Sequence, residues 1–190
     1  FEFHRHVLLD FIERLDLKNI VLVVQDWGGI LGLTLPMAMK ARFTGLLVMN
    51  TTLTTGQAPL SDGFKSWRAW CKDNPDFDVG KLFARGNKHM SPEETQAYNR
   101  PFTDKGHRAA LHAFPPMVPE HLGSPGADIS RQAAEFWRND WHGQSMMAIG
   151  LQDPVLGETV MRNLQKIICN CPEPMLLPQA GHFVQEHGQS

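Results

Sequence analysis

Val24-Gln25-Asp26-Trp27-Gly28-Gly29 joins two apolar segments of opposite character. Upstream, Ile20-Val21-Leu22-Val23-Val24 is a short β-branched run and reads as a buried strand. Downstream, Ile30-Leu31-Gly32-Leu33-Thr34-Leu35 reads as a helix from Gly28 to about Met39, with Pro36 as a kink or an early stop. A strand that breaks sharply into a helix needs residues without bulk at the turn, and Gly28 and Gly29 supply them. Asp26 then stands exposed at the apex, where the free N–H groups of a helix N-terminus favour negative charge. A carboxylate held there stays ionised and can attack carbon. It can equally serve as a plain helix cap, a position that Asp favours.

Working outward, residues 3–16 read as an amphipathic helix with Phe3, Val7, Leu8, Phe11, Ile12 and Leu15 on one face. Leu46-Leu47-Val48-Met49 gives a second buried strand, and helix, strand, helix, strand at this spacing is an α/β pattern with parallel strands. Both strands are apolar throughout, as expected of strands covered on both faces. From Thr51 the character changes. A helical stretch at 64–70 and short candidates such as 92–98 are separated by Pro and Gly, with no strand-like run. The expected organisation is a first α/β part at 1–56, a helical insertion at 57–122, and a second α/β part at 123–190. That last part carries a helix near 128–138, a strand at 146–149, a helix around 157–168 and a final strand at 175–177.

Three polar residues fall just past the C-terminal ends of three of these strands: Asp26, Asp153 and His182. In open α/β sheets that edge is where ligands bind. Nucleophile, acid, base is the chain order of an α/β-hydrolase triad. Attack by Asp26 on carbon leaves an ester, which a water activated by His182 hydrolyses. Asp153 would orient the imidazole and stabilise its charged form. Singly, each has a plain alternative: a loop histidine is usually solvated, and Asp153-Pro154 can start a turn. Together and in this order they point to covalent hydrolysis.

Gln25-Asp26-Trp27-Gly28-Gly29, Asp62-Gly63-Phe64-Lys65-Ser66-Trp67, Ile149-Gly150-Leu151-Gln152-Asp153 and Ala180-Gly181-His182-Phe183-Val184-Gln185-Glu186 occur in that order. With them the chain resembles the haloalkane dehalogenases from Phe3 to Glu186, most closely the branch that includes the 1,2-dichloroethane-degrading enzyme. The resemblance implies an α/β-hydrolase core, a mostly parallel sheet with flanking helices, carrying an inserted helical cap at about 57–122. It makes Asp26 the nucleophile, His182 the base and Asp153 the acid. In a related branch the acid follows an earlier strand, but the residue near that position here, Asn50, carries no charge.

Trp27 and Trp67 match the family's halide-binding pair. An indole N–H donates and has nothing to accept with, so two aimed at one point would stabilise a departing halide. The plain alternative for Trp67 is a cap-core aromatic, and Trp70 is its rival for the role. Phe64, Phe114, Pro115, Val155 and Leu156 would line an apolar pocket, and the backbone N–H of Trp27 would serve the oxyanion. The implied partners are a small apolar haloalkane, water and a halide ion, with no cofactor. The family's second oxyanion donor, several strands and a closing helix have no counterpart in these residues, so a piece of a longer enzyme is expected.

Composition narrows the alternatives. The 190 residues fit one ordinary domain, and with 42% apolar and 20% charged residues the chain is globular rather than disordered. A formal net charge of −2 gives no electrostatic case for nucleic acid or an acidic membrane, and no run of 18 apolar residues occurs. Three cysteines cannot pair completely, and Cys169-x-Cys171 lacks a second pair for a structural metal. Reduced thiols suit the cytoplasm, and a monomer is expected. An epoxide hydrolase would share the Asp nucleophile but uses two cap tyrosines, where this chain has Tyr98 alone. Fluoroacetate-type dehalogenases place an arginine where Trp27 stands. A non-catalytic binding module of the same fold typically loses a triad member. Metal hydrolysis through His182 and His187, or His4 and His6, lacks clustered carboxylates. A serine esterase fails at Asp26 itself.

Overall fold

The computed structural model describes residues 1–187. Four parallel strands form one sheet in the order β1-β2-β3-β4: Ile20–Gln25, Phe43–Met49, Gln144–Gly150 and Met175–Leu177. Their C-terminal ends lie side by side, so the loops that follow converge on one edge. Helix α1 (Glu2–Arg14) precedes β1, α2 (Trp27–Gly32) follows it, and α7 (Ala127–Asn139) and α8 (Glu158–Gln165) flank β3. Between β2 and α7, α3 (Asp62–Asp73), α4 (Val79–Gly86), α5 (Pro92–Asn99) and α6 (Ala109–Ala113) make up the insertion, without a strand among the described residues.

The core lies on one side of the sheet. Val24, Leu46, Val48, Met147 and Ile149 pack there against Leu33 and Leu35, against Ala133, Ala134 and Trp137 of α7, and against Met161 and Leu164 of α8. Trp137 is fully buried, and its indole N–H donates to the Leu33 carbonyl at 2.8 Å. The other face differs from the expectation of two covered faces. Val21, Val23, Met146 and Met175 are 61, 57, 44 and 51% exposed, because the helices contributing to the core all stand on the Val24 side.

Two local expectations are also corrected. Helix α1 does not bury the Phe3–Val7–Phe11–Leu15 row, which is exposed; it buries Arg5 and Ile12, with Phe1 buried at its N-cap. Arg5 decides the rotation, since its guanidinium donates to the hydroxyl and carbonyl of Thr34 at 3.0 and 3.1 Å, which meets the cost of burying a charge. Helix α2 stops at Gly32 rather than near Met39. The Thr34 hydroxyl takes the Leu31 carbonyl at 2.6 Å, and Pro36 has no N–H with which to continue the ladder.

Within the insertion the helix starts are written locally. Ser61 accepts from the Phe64 amide, Asp78 from the Lys81 amide, and Ser91 forms a reciprocal capping box with Glu94. A second cluster of Phe1, Ile30, Leu31 and Val118, with Trp27, Leu60 and Phe64 beside it, joins the insertion to the core above the elbow, the sharp turn at Asp26 from β1 into α2.

Candidate active site

The turn from β1 into α2 places Asp26 at φ 48°, ψ −127°, a conformation that L-residues rarely hold. Neighbouring backbone enforces it. The Asp26 amide donates to the Asn50 carbonyl at 3.1 Å, and the Asp26 carbonyl accepts from the amides of Gly29 and Ile30 and from the Thr51 hydroxyl at 2.6 Å. The demand for a missing side chain falls on Gly29, where a Cβ would stand 2.1 Å from the Thr51 hydroxyl oxygen. Gly28, expected to share that demand, faces open space. The side chain of Asp26 makes no capping bond, so the helix-cap reading fails. Its carboxylate is 42% exposed and lies 3.3 Å from Nε2 of His182.

Asp153 follows β3 and its side chain is 1% exposed. One oxygen accepts from the amides of Val155 and Leu156 at 2.8 and 3.0 Å. The other accepts from Nδ1 of His182 at 2.7 Å and from the amide of Asn50 at 3.0 Å. Burial works to raise the Asp153 pKa, but the His182 bond and charge and the two backbone donors hold it below the usual carboxylate value. For His182 burial opposes the charge, yet hydrogen bonds and charge from Asp153 and Asp26 outweigh it and push the pKa up to about 9. Asp26, Asp153 and His182 thus meet, from three separate strand ends.

Asn50 and Gln25 are polar members of the site to which sequence reasoning gave no role. Asn50, fully buried after β2, also exchanges hydrogen bonds with the backbone of Gly150 and so ties the ends of β2 and β3 together. Gln25 reaches the imidazole from the last position of β1. The signal that could have found both is position: Gln25 ends β1 and Asn50 directly follows β2, at the edge where Asp26, Asp153 and His182 meet.

An apolar cavity of about 1720 Å³ opens beside Asp26. Trp27, Trp67, Phe64, Phe114, Pro115, Val155 and Leu156 all line it, so every residue expected to form the site shares this space. Trp70 does not line it; it stacks behind Trp67 at 5.5 Å. The indole N–H groups of Trp137 and Trp141 are spent on Leu33 and Ser145, whereas those of Trp27 and Trp67 have no acceptor among the described residues. Trp27 and Gly28 lie in the first turn of α2, where backbone N–H groups lack intrahelical acceptors. No cluster of three or more His, Cys, Asp or Glu able to hold a metal occurs among the described residues, and no helix there is long and apolar enough to cross a membrane.

Residues 1–189 match the family described as alpha/beta hydrolase fold, and the chain belongs to that family. The individual proteins it resembles are narrower in kind. It is 33% identical to a haloalkane dehalogenase of Psychrobacter cryohalolentis and 30% identical to one of Mycolicibacterium paratuberculosis, over 98% of this chain and 62% of each relative. It superposes with a TM-score of 0.95 and 46% identity on haloalkane dehalogenase DpaA from Paraglaciecola agarilytica NO2, described as tetrameric, covering 98% of this chain and 62% of that one. The structure of dehalogenase DatA from Agrobacterium tumefaciens C58, at 21% identity and a TM-score of 0.75, shares the fold. The chain spans about three fifths of the length of the relatives it matches.

Proposed function

We propose that the protein to which this chain belongs hydrolyses haloalkanes to an alcohol and a halide through an ester on Asp26. The observation that carries the proposal is an aspartate, not a serine, at the apex of the elbow, 3.3 Å from Nε2 of His182 and facing an apolar cavity. Similarity to haloalkane dehalogenases over 98% of the chain supports it.

The Asp26 carboxylate attacks the carbon that bears the halogen, the carbon–halogen bond breaks, and the halide leaves with the bonding pair. Trp27 and Trp67 donate their indole N–H groups to it as charge builds. Ester formation removes the charge of Asp26, which had helped to raise the His182 pKa, so the imidazole loses its proton more readily in the intermediate. Nε2 then takes a proton from water, whose oxygen adds to the ester carbonyl of Asp26. The Trp27 amide serves the resulting oxyanion. Collapse expels the alkoxide, which takes the proton from His182, and leaves Asp26 as a carboxylic acid. Its remaining water proton passes to the neutral imidazole, which returns the Asp26 carboxylate beside a protonated His182. Asp153 stabilises the imidazolium in between and keeps the proton on Nδ1.

Epoxide hydrolysis is less well supported. The Tyr98 hydroxyl donates to Glu186, and burial with that carboxylate pushes its pKa up to about 12, which makes it a poor proton donor to an epoxide. The three cysteines are free, and we propose the cytoplasm as the place of action. The test is halide release from short terminal chloro- and bromoalkanes. Release that disappears in Asp26→Asn is expected, and none from folded protein overturns the proposal.

A further inference from the structure

Gln25 closes β1 one residue before the nucleophile, and its side chain meets His182, 157 positions away. Its amide nitrogen lies 3.0 Å from the main-chain carbonyl of His182 and 2.9 Å from the imidazole Nε2. A carbonyl can only accept, so the group facing it is the NH2 of the amide, which settles the orientation of the side chain. That NH2 has two hydrogens, and the second is available to Nε2. Because Nδ1 donates to Asp153, Nε2 of the neutral ring carries a lone pair and accepts.

Gln25 therefore satisfies the neutral imidazole and opposes the imidazolium, whose Nε2–H would confront another donor. Asp26, 3.3 Å from the same atom, does the reverse. The charged groups facing the ring are Asp26 from the elbow and Asp153 from the loop after β3. From the insertion, Phe83 reaches only the adjoining Phe183, ring on ring at 3.8 Å.

We propose that Gln25 is a positioning residue that keeps Nε2 of His182 aimed and unprotonated once Asp26 has lost its charge. This rests on the ester cycle above. With Asp26 esterified, Gln25 is the remaining partner of Nε2 until the hydrolytic water offers its own proton to that lone pair and takes the place of the amide. The bond from Gln25 to the His182 carbonyl holds the loop throughout.

The experiment titrates His182 by ring NMR in Gln25→Leu and Gln25→Glu, and times ester formation and ester hydrolysis separately by rapid mixing. His182 should titrate at higher pH in Gln25→Leu, and higher still in Gln25→Glu, whose carboxylate accepts from the imidazolium. Ester formation should stay within about twofold while hydrolysis slows roughly tenfold at neutral pH and recovers as pH rises. An unchanged His182 titration in either folded variant overturns the assignment. So does equal slowing of both steps at every pH, the mark of a purely structural role. The titration needs no turnover. A shifted titration in a protein that releases no halide supports the hold of Gln25 on the ring and overturns the dehalogenase reading alone.

Discussion

At the strand ends polar groups are fixed by directional bonds, whereas the insertion builds its walls from ring contacts. Asp153 accepts four hydrogen bonds from three different segments and is almost fully buried. Trp67, by contrast, is placed by stacking on Trp70 and an edge contact with Phe77 at 6.3 Å, on a helix of 12 residues. Phe114 meets Trp27 edge-on at 4.8 Å. Hydrogen bonds fail abruptly when geometry shifts, while apolar contacts repack. The polar groups at the sheet edge are thus held in one arrangement, whereas the helical part can repack around the cavity.

Substitutions can break this contrast. The largest effect is expected for Asp153→Asn, which puts an amide beside Nδ1 and favours the wrong tautomer; ester hydrolysis should fall by about a thousandfold or more, with ester accumulating in quenched reactions. Gly29→Ala should cost roughly 3 kcal/mol in denaturant unfolding, because Thr51 is tied to the Asp26 carbonyl and cannot yield, whereas Gly28→Ala, in open space within α2, should be neutral or stabilise by up to about 1 kcal/mol. Asn50→Ala leaves an oxygen of Asp153 and the Gly150 backbone short of partners and should cost about 2 kcal/mol by the same measurement. In the wall, Trp67→Phe should lower kcat/KM for bromoalkanes about tenfold through a lost charge-assisted donor, and Trp70→Phe within about threefold. A Trp70 effect as large as that of Trp67 would erase the distinction drawn here.

The gentlest probe is pH. His182 gains affinity for its proton on folding, with its pKa moving from 6.5 to about 9. The stabilisation is therefore complete below about pH 6.5 and is lost as pH rises towards about 9. The melting temperature should decline across that window, and Asp26→Asn should flatten the decline.

Much of this was legible in the chain. The β-branched run at 20–24, the apolar run at 46–49 and polar residues just beyond successive strands announce a parallel sheet with a working edge. The helical nature of 57–122 was legible in short helical stretches separated by Pro and Gly and in the lack of any strand-like run. What escaped was whatever depends on an object outside the local pattern. Arg5 turned α1 away from its most apolar row because Thr34 offered two acceptors, and periodicity carries no information about Thr34. Asn50 and Gln25 escaped because an amide side chain has no chemistry of its own to advertise; its meaning lies in what it touches.

One consequence concerns time rather than position. β1 and β2 are joined by fewer than 20 residues, but the insertion and α7 lie between β2 and β3, and the bonds Asn50–Asp153 and Gln25–His182 bridge 103 and 157 positions. Contacts so distant in sequence must await closure of the loops between them. The elbow can form from a local stretch, while His182 and Asp153 arrive from the far end. During refolding, pairing of β1 with β2 should precede the return of an Asp-paired His182, so that the meeting of Asp26, Asp153 and His182 is among the last things the chain completes.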